Sequence, residues 1–304
     1  MTYKRICLVN SFNYSKYLHD CLNSALGQTI PFDQIIVIDD GSSDSSREII
    51  TDYANKFNHI DPIFKINQGQ LSNFNAAESL IDINSQIFFL DSDDFYPVDY
   101  VELVENCFNH QPWDIAFASR VCFESTERSH PIFLKDNLED LISLGRENSP
   151  MSFIPASKPF ELPDLSAIVR ALGIWVGMQN SCISISGALF KKIIPYPHFK
   201  DWITFADDCF VYASSILGAK KIFLPHIGIY YRLHEQNYHH QGAKKETIKQ
   251  QAYAKEKLFQ FYCDKFSLDY PASYKEFAQN CAYLKSEQKE FVNLFSAGWQ
   301  KELP

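Results

Sequence analysis

The sequence predicts an α/β fold in which a mostly parallel sheet is covered by helices on both faces. Short apolar segments alternate with amphipathic segments of helical period over the first 110 residues. Two of the apolar segments, 35–38 and 87–90, contain no polar residue, which is typical of strands buried on both faces. In addition, polar or acidic residues follow several apolar segments directly, at the sheet edge where ligands of such folds bind.

In the first 110 residues the pattern predicts four strands, at 5–9, 35–38, 62–66 and 87–90. Amphipathic helices are expected after them, at 15–27, 45–57, 70–82 and 98–109. Ser45, followed by Glu48 three residues later, predicts a capping box at the start of the second helix.

The remainder of the chain predicts fewer regular elements. A fifth strand is expected at 114–123, and an irregular stretch with several prolines follows at 124–176. Further elements are a strand and helix at 181–194, a helix near 205–217 and two strands around 220–233. From about residue 243 only helical patterns occur, for example Tyr274, Phe277, Ala278 and Cys281.

The composition is that of an ordinary globular protein, with 46% hydrophobic and 21% charged residues in 304. A formal charge of −9 argues against nucleic acid or an anionic membrane as the main partner, because both repel a negative surface. The eight cysteines form no C-x-x-C pair, and no signal peptide or membrane-spanning stretch is visible, so a cytoplasmic location is expected. Peripheral contact with the inner face of a membrane and the oligomeric state stay open.

Polar side chains follow three of the four N-terminal strands. They lie in the segments 10–13, 39–42 and 91–94. Because the carboxyl ends of parallel strands meet at one edge of a sheet, these segments are expected to form one ligand site. The loop 67–70 is expected beside them, where backbone N–H groups before a helix can bind an anion. No G-x-G-x-x-G or Walker loop is present, which argues against a dinucleotide or an ATP-type phosphate cradle.

The acidic run Asp91-Ser92-Asp93-Asp94 is the most specific of these features. Three carboxylates after a buried strand repel one another and lose hydration, and a divalent cation such as Mg²⁺ or Mn²⁺ offsets that cost. The simpler interpretation is an acidic turn, which the position beside Asp39 and Asp40 makes less favoured. The Asp39–Asp40 pair itself fits either a turn before a helix or a carboxylate that accepts hydrogen bonds from a nucleoside.

These motifs together resemble the family 2 glycosyltransferases of the GT-A fold. The segments that carry the resemblance are VNSFNYSKYLHDCLNSALGQT, IIVIDDGSSDSS, NQGQLSNFN, FFLDSDD, NSCISISGALFKKIIPYP, FADDCFVYASSILGA and YYRLHEQN. The resemblance covers roughly residues 4–237, loosely at 124–176. It implies a glycosyltransferase domain over 1–237, with a nucleotide-binding half at 1–110 and an acceptor or catalytic half at 111–237, and a C-terminal helical extension at 238–304.

The resemblance also implies a role for individual residues in binding the donor. Asn10 and Phe12 stand where the family lines the nucleotide pocket, and Asp40 where it recognises the base, often uracil. Asn67, Gly69 and Ser92 are expected to join this donor site. Asp91 and Asp93 occupy the D-x-D positions, with Asp93 as the direct metal ligand and Asp91 near the ribose or a metal-bound water. Arg232 and His234 match a motif that closes over the diphosphate, and His234 is an additional candidate for the metal.

The implied reaction is a single displacement with inversion. A nucleoside diphosphate sugar, favoured as UDP-linked, donates to a glycan, lipid-linked or other hydroxyl acceptor, with Mn²⁺ or Mg²⁺ as cofactor. Asp207 stands at the position of the catalytic base, but Ala206-Asp207-Asp208 replaces the usual Glu-Asp pattern, so Asp208 stays a candidate. Many relatives carry an arginine near Phe74-Asn75, so one phosphate contact is expected to be missing or supplied elsewhere.

Two other classes fit part of the pattern. A phosphatase or phosphotransferase also places D-x-D after an apolar strand, but usually after the first strand rather than the fourth. A non-catalytic nucleotide-sugar binder would keep the pocket and lose turnover, and the retained Asp207 argues against it. Asp207 and Asp208 also fit a plain helix N-terminus, where the dipole favours acids.

Overall fold

The computed structural model of the protein describes residues 3–124, 159–162, 164, 166, 169–170, 175–234 and 245–268. Within these residues eight strands form one sheet: β1 Lys4–Ser11, β2 Gln34–Asp39, β3 Ile60–Phe64, β4 Ser85–Asp91, β5 Ile115–Glu124, β6 Phe160–Leu162, β7 Ile183–Ser186 and β8 Lys221–Leu233. The helices are α1 Ser15–Leu26, α2 Ser46–Lys56, α3 Gln70–Ala77, α4 Tyr100–His110, α5 Gly187–Ile193, α6 Ala206–Ile216 and α7 Lys245–Phe266.

The sheet is mostly parallel, as the sequence predicts. Its strand order is β3-β2-β1-β4-β7-β5-β8-β6. The first four strands in this order are mutually parallel, and β5 is parallel to β8. β7 lies antiparallel between β4 and β5, and β6 is antiparallel to β8. The α/β class is therefore confirmed, and the antiparallel β7 joins the two halves of the sheet.

The central strands are buried because both of their faces are apolar. Every residue of β2 is buried, and in β1 only Lys4 and Arg5, at its start, reach the surface. The helices cover these faces with apolar stripes of helical spacing, as in α1, where the buried residues are Tyr17, Leu18, Cys21, Leu22 and Ala25. This two-sided burial fixes the strands, so the polar residues at their carboxyl ends are held at one edge.

The capping box predicted at Ser45 is wrong. Ser45 precedes α2, but its side chain makes no capping hydrogen bond. The carboxylate of Asp44 bonds the starts of both helices instead. Its Oδ1 accepts from the backbone N–H of Ser46 at 3.0 Å, and its Oδ2 accepts from that of Ser15 at 2.9 Å. Asp44 therefore ties the start of α2 to the start of α1.

Several other boundaries differ from the prediction. β3 begins and ends two residues earlier than expected, and the helix predicted at 70–82 ends at Ala77 and continues as a 3₁₀ turn over Glu78–Leu80. The two strands expected around 220–233 are one strand, β8, whose register shifts between Leu224 and Gly228. β6 lies in the stretch expected to be irregular.

The helix α7 packs against α6. Its buried face consists of Ala254, Leu258, Phe259, Tyr262 and Cys263. The Tyr262 hydroxyl donates to the carbonyl oxygen of Ile193 at 2.7 Å, which also attaches α7 to the end of α5. The helical pattern predicted around Tyr274–Cys281 lies outside the described residues.

An aromatic cluster connects the elements that carry the acidic residues. It contains Phe74 of α3, Phe89 of β4, Phe190 of α5 and Phe210 of α6. Phe89 lies with its ring centroid 4.7 Å from both Phe74 and Phe210. Because such close-packed rings resist displacement, this cluster holds the end of β4 and the start of α6 in a fixed relation.

Two further predictions concern cysteines and the membrane. None of the seven cysteines in the described part of the chain forms a disulfide. No helix within that part is long and apolar enough to cross a bilayer.

Candidate active site

A cavity of about 330 Å³ opens at the carboxyl edge of the sheet. Its size falls in the range of small-molecule sites. The end of β1, the loop before α3, the end of β4 and the loop before α6 all contribute to its wall. The lining residues are Asn10, Ser11, Phe12, Tyr14, Asp40, Asn67, Gly69, Gln70, Asn73, Asp91, Ser92, Asp93, Gln179, Asn180, Ile203, Thr204, Phe205, Asp207 and Tyr231.

Asp91 is held at the last position of β4. Its Oδ1 accepts from the Gln70 side-chain amide at 2.9 Å and from that of Asn180 at 2.7 Å. Burial, followed by the charge of Asp93, raises the pKa of Asp91 to about 7, and these amide donors act in the opposite direction. The surroundings of Asp91 therefore oppose the ionisation of its carboxyl group.

The acidic run divides into side chains that reach the cavity and one that does not. Asp91 and Asp93 line the cavity, whereas Asp94 is buried below it. Asp94 Oδ2 accepts from the Ser181 hydroxyl at 2.6 Å, and Oδ1 accepts from the backbone N–H of Arg232 at 3.0 Å. Asp94 therefore anchors the acidic turn to β8 and to the segment before β7.

Arg232 and His234 lie against the acidic turn and outside the lining of the cavity. Arg232 Nε donates to the backbone oxygen of Asp93 at 2.8 Å, and its Nη2 donates to Asp20 Oδ2 at 2.8 Å. The guanidinium group also stacks over the ring of Tyr17, 4.7 Å from its centroid. His234 Nε2 lies 3.0 Å from Asp93 Oδ2. Both residues support Asp93 in this structure, and their contacts with a diphosphate or a metal stay predictions.

Asp207 and Asp208 are adjacent at the start of α6 but face different surroundings. Asp207 lines the cavity, and burial, with the charges of Asp208 and Asp91, raises its pKa well above the usual range. Burial raises the pKa of Asp208 to about 6, while Trp175 and the charge of Lys255 in α7 act against this shift. Of the two candidates for the base, only Asp207 lines the cavity.

Asp40 fixes the loop before α3. Its carboxylate accepts from the backbone N–H groups of Gln68 at 2.9 Å and Gly69 at 2.8 Å, and it forms an ion pair with Lys65. Gly69 has a φ of +90°, and a Cβ there would lie 2.5 Å from the Cα of Ile203. The backbone N–H groups of this loop thus bind a carboxylate of the protein rather than an external anion.

The charges of the cavity determine what it can bind. Four carboxylates line it, those of Asp40, Asp91, Asp93 and Asp207, and the lining contains no lysine or arginine among the described residues. A diphosphate would be repelled by this wall unless a cation came with it. Asp91 and Asp93 supply the oxygen donors that Mg²⁺ and Mn²⁺ prefer. The described residues include no group of three His, Cys, Asp or Glu side chains suited to a metal.

The structure brings most of the predicted site residues together. The predicted residues that line the cavity are Asn10, Phe12, Asp40, Asn67, Gly69, Asp91, Ser92, Asp93 and Asp207. Asp208, Arg232 and His234 do not line it. Near the predicted gap in the phosphate contacts, Phe74 is buried in the core and Asn75 bonds both backbone groups of Tyr196, at 2.8 and 3.0 Å, so neither side chain lines the cavity.

Sequence reasoning missed Gln70, Gln179 and Asn180. Gln179 and Asn180 precede β7. Because β7 runs antiparallel to β4, it begins at the sheet edge where β4 ends. Gln70 is the first residue of α3 and directly follows Gly69, which is the predicted site residue of the 67–70 loop. The position of Gln179 and Asn180, directly before the strand predicted within 181–194, is the signal in the sequence that points to these two residues.

Comparisons with known proteins address the family directly. The model of the family described as Glycosyl transferase family 2 matches residues 7–159, about half of the chain. An uncharacterized glycosyltransferase of Nostoc sp. is 28% identical over 247 residues, which are 81% of this chain and 69% of the relative. The chondroitin synthase of Escherichia coli is 35% identical over 42% of this chain, but the match spans 18% of its own length. Neither alternative, a phosphatase or a binder without activity, gains support from these matches.

Solved structures show the same fold. TarS 1-349 of S. aureus, crystallised in complex with UDP, is 18% identical, with a TM-score of 0.56 over 94% of this chain and 77% of that one. The mannosyltransferase PcManGT from Pyrobaculum calidifontis, in complex with GDP-Man and Mn2+, is 13% identical, with a TM-score of 0.51 over 97% of this chain and 79% of that one. The GT-A fold predicted from the sequence is thereby confirmed. The chain belongs to glycosyl transferase family 2 and is a glycosyltransferase.

Proposed function

We propose that this enzyme transfers a sugar from a nucleoside diphosphate sugar, with UDP as the favoured carrier, to a hydroxyl group of a glycan or lipid-linked acceptor. The observation that carries the proposal is the shared cavity of Asp91, Asp93 and Asp207 at the carboxyl edge of the sheet. One end of such a site can bind a diphosphate with its cation, and the other can deprotonate an acceptor. TarS and PcManGT, which have the same fold, bind UDP and GDP-Man, respectively.

The donor would bind between β1, the loop before α3 and the end of β4. Asn10 and Phe12 lie at the end of β1 and are proposed to contact the nucleoside. Phe12 is 43% exposed, which leaves its ring free to pack against a base. Asp40 is proposed to act mainly by fixing the 67–70 loop, because its carboxylate already accepts two backbone N–H groups and pairs with Lys65.

The acidic residues at the end of β4 are proposed to hold a divalent cation, Mn²⁺ or Mg²⁺. When bound, such a cation stabilises the negative charge that develops on the leaving diphosphate. Asp93 is the proposed direct ligand, and the contacts of Arg232 and His234 hold it in place. Asp91 is proposed to complete the site through Oδ2, because Gln70 and Asn180 both donate to Oδ1.

Asp207 is the proposed catalytic base. Its position at the first turn of α6 places it in the cavity, where a carboxylate can accept the proton of the attacking hydroxyl. Burial and neighbouring acids raise its pKa, and a cation beside Asp91 would lower it by opposing those charges. Binding of donor and cation would therefore favour the ionised form of Asp207, which can accept a proton. The resemblance to the family further implies inversion at the anomeric carbon.

Residues 1–237 are proposed to form the glycosyltransferase domain, and the part beyond is proposed as its helical extension. The packing of α7 on α6 supports a structural role for the first helix of this extension.

A panel of nucleoside diphosphate sugars tests the donor. Thermal melting would be measured with and without Mn²⁺, and we expect a UDP sugar to raise the melting temperature only when Mn²⁺ is present. A ligand at about 100 times its dissociation constant adds roughly 2.7 kcal/mol to the free energy of unfolding. Asp93→Asn should abolish this shift, because it removes a charge that the cation needs. A shift that is independent of Mn²⁺ would contradict the proposal.

A second experiment separates the two candidates for the base. Asp207→Asn should retain the Mn²⁺-dependent binding of donor and lose transfer by at least about 100-fold, in line with the usual contribution of a general base. Asp208→Asn is the matched control, since it makes the same change one residue away and outside the cavity. Loss of transfer in Asp208→Asn alone would move the assignment to that residue.

A further inference from the structure

Asp91 is oriented by two side-chain amides that act on the same oxygen. Gln70 Nε2 and Asn180 Nδ2 both donate to Oδ1, at 2.9 and 2.7 Å. The two donors belong to different elements, since Gln70 begins α3 and Asn180 lies just before β7. A carboxylate with one oxygen fixed in this way presents the other oxygen in a defined direction.

Gln70 uses the other end of its side chain on the helix of the proposed base. Its Oε1 accepts from the backbone N–H of Ala206 at 3.1 Å. Ala206 is the first residue of α6 and directly precedes Asp207. One glutamine therefore bonds, through its two amide atoms, to the proposed donor-site carboxylate and to the N-terminus of the proposed base helix.

Backbone contacts fix the position of Gln70 relative to the loop before α6. Its own N–H donates to the carbonyl oxygen of Ile203 at 2.8 Å, and Gly69 is packed so closely that a Cβ would lie 2.5 Å from the Cα of Ile203. The start of α3 and the loop before α6 are thus joined by main-chain and side-chain hydrogen bonds. The amide of Gln70 can bridge its two partners only because this backbone junction sets its distance from both.

We infer that Gln70 is a positioning residue that couples the donor site to the catalytic base by bonding both Asp91 and the first N–H of α6. The inference rests on the proposed function, in which Asp91 serves the donor and Asp207 takes the proton of the acceptor. Gln70 itself takes no part in proton transfer. Removal of its amide should disturb the positions of Asp91 and of the start of α6 together, because both lose a hydrogen bond to the same side chain.

The test compares Gln70→Met with Gln70→Glu. Methionine has a similar shape and forms neither hydrogen bond, so we expect the KM for donor to rise about tenfold and kcat, at saturating donor and Mn²⁺, to fall 10- to 100-fold, since small misplacements of reacting groups have effects of this size. Glutamate keeps an acceptor for Ala206 N–H, at a helix end that favours negative charge, but it replaces the donor to Asp91 Oδ1 by an oxygen that repels this carboxylate. It should recover at least fivefold in kcat over methionine while the high KM persists.

The matched control is Gln86→Leu. Gln86 is a buried glutamine of the same strand as Asp91, about 16 Å away at the opposite end of β4. Its kcat and KM should stay within twofold of the wild type. Melting temperatures of all variants would show whether a loss of activity merely follows a loss of fold.

The outcomes separate the inference from the function on which it rests. Wild-type protein that neither binds nor turns over any nucleoside diphosphate sugar would refute the proposed function. Wild-type turnover that Gln70→Met retains within twofold in both kcat and KM would refute only the role of Gln70. Equal kcat values for the glutamate and methionine variants would also overturn it, because the bond to Ala206 would then contribute nothing.

Discussion

Replacement of Asp91 by asparagine should make the ligand-free protein more stable while it removes the response to donor and Mn²⁺. Burial and the charge of Asp93 raise the pKa of Asp91 to about 7, so at pH 8 most of the folded protein carries a charge that its surroundings oppose. Asparagine retains an oxygen that can accept from Gln70 and Asn180, the present partners of Oδ1. The substitution therefore removes the charge and preserves the shape and the hydrogen bonds.

The size of the effect follows from proton linkage. A carboxyl whose pKa is higher in the folded state favours folding only while it is protonated, so its contribution is complete below its ordinary pKa of 3.8 and is lost as the pH rises through about 7. Relative to a neutral residue, this difference in pKa costs roughly 4 kcal/mol of folding free energy at pH 8 and less than half of that at pH 5. Asp91 is partly exposed to the cavity, so water screens part of this cost, and we expect about half of it.

Thermal melting at pH 5 and pH 8 measures this difference. With an unfolding entropy of about 2.1 cal/mol/K per residue, a gain of roughly 2 kcal/mol corresponds to a rise of about 3 °C. The gain of Asp91→Asn over the wild type should be clearly larger at pH 8 than at pH 5. Addition of Mn²⁺ and UDP should reverse the order of stability, because only the wild type binds them.

Two results would refute this reasoning. A variant that melts below the wild type at pH 8 without ligand would show that the Asp91 charge does not destabilise the fold. A variant that still gains stability from Mn²⁺ and UDP would show that Asp91 does not serve the donor site.

Three further predictions follow from other contacts. Gly69→Ala should cost about 1–3 kcal/mol of folding free energy and weaken nucleotide binding, because its φ is +90° and the new methyl would collide with Ile203; denaturant unfolding and UDP titration with Mn²⁺ check this. Burial lowers the pKa of Lys221 to about 7, so the unfolded chain binds more protons between pH 7 and 10, and wild-type stability relative to Lys221→Met should rise across that range in urea unfolding. Tyr262→Phe should lower stability by about 1–2 kcal/mol, since Ile193 loses the hydroxyl that it accepts from, while kcat stays within twofold.

The parallel half of the fold could be predicted because β1, β2 and β4 are buried on both faces and therefore lack any polar alternation. The sequence does not show which side chains of the acidic run after β4 line the cavity. Asp93 lines the cavity, whereas its neighbour Asp94 is buried against Ser181. The direction of each side chain depends on strand pairing and on the turn after β4, and neither is visible in composition or periodicity.

Hydrogen bonds between residues far apart in the sequence account for other features of the site that pattern analysis does not predict. Arg232 bonds Asp20, more than 200 positions earlier in the chain, and no pattern in the sequence indicates this contact. Asn180 reaches Asp91 because β7 runs antiparallel to β4, and pattern analysis predicts a strand without its direction. The site residues at the ends of β1, β2 and β4 were thus predictable, whereas Gln179 and Asn180 before the antiparallel β7 and Gln70 at the start of α3 were not.

The contact between α6 and α7 affects how this enzyme can be divided or recombined. The inner side of α7 covers α6, with Tyr212 and Phe259 at a ring distance of 5.4 Å and Lys255 beside Asp208. A chain cut at residue 237 would leave the helix of Asp207 with an apolar flank in water. A chimaera that exchanges acceptor regions between relatives therefore has to carry both helices together.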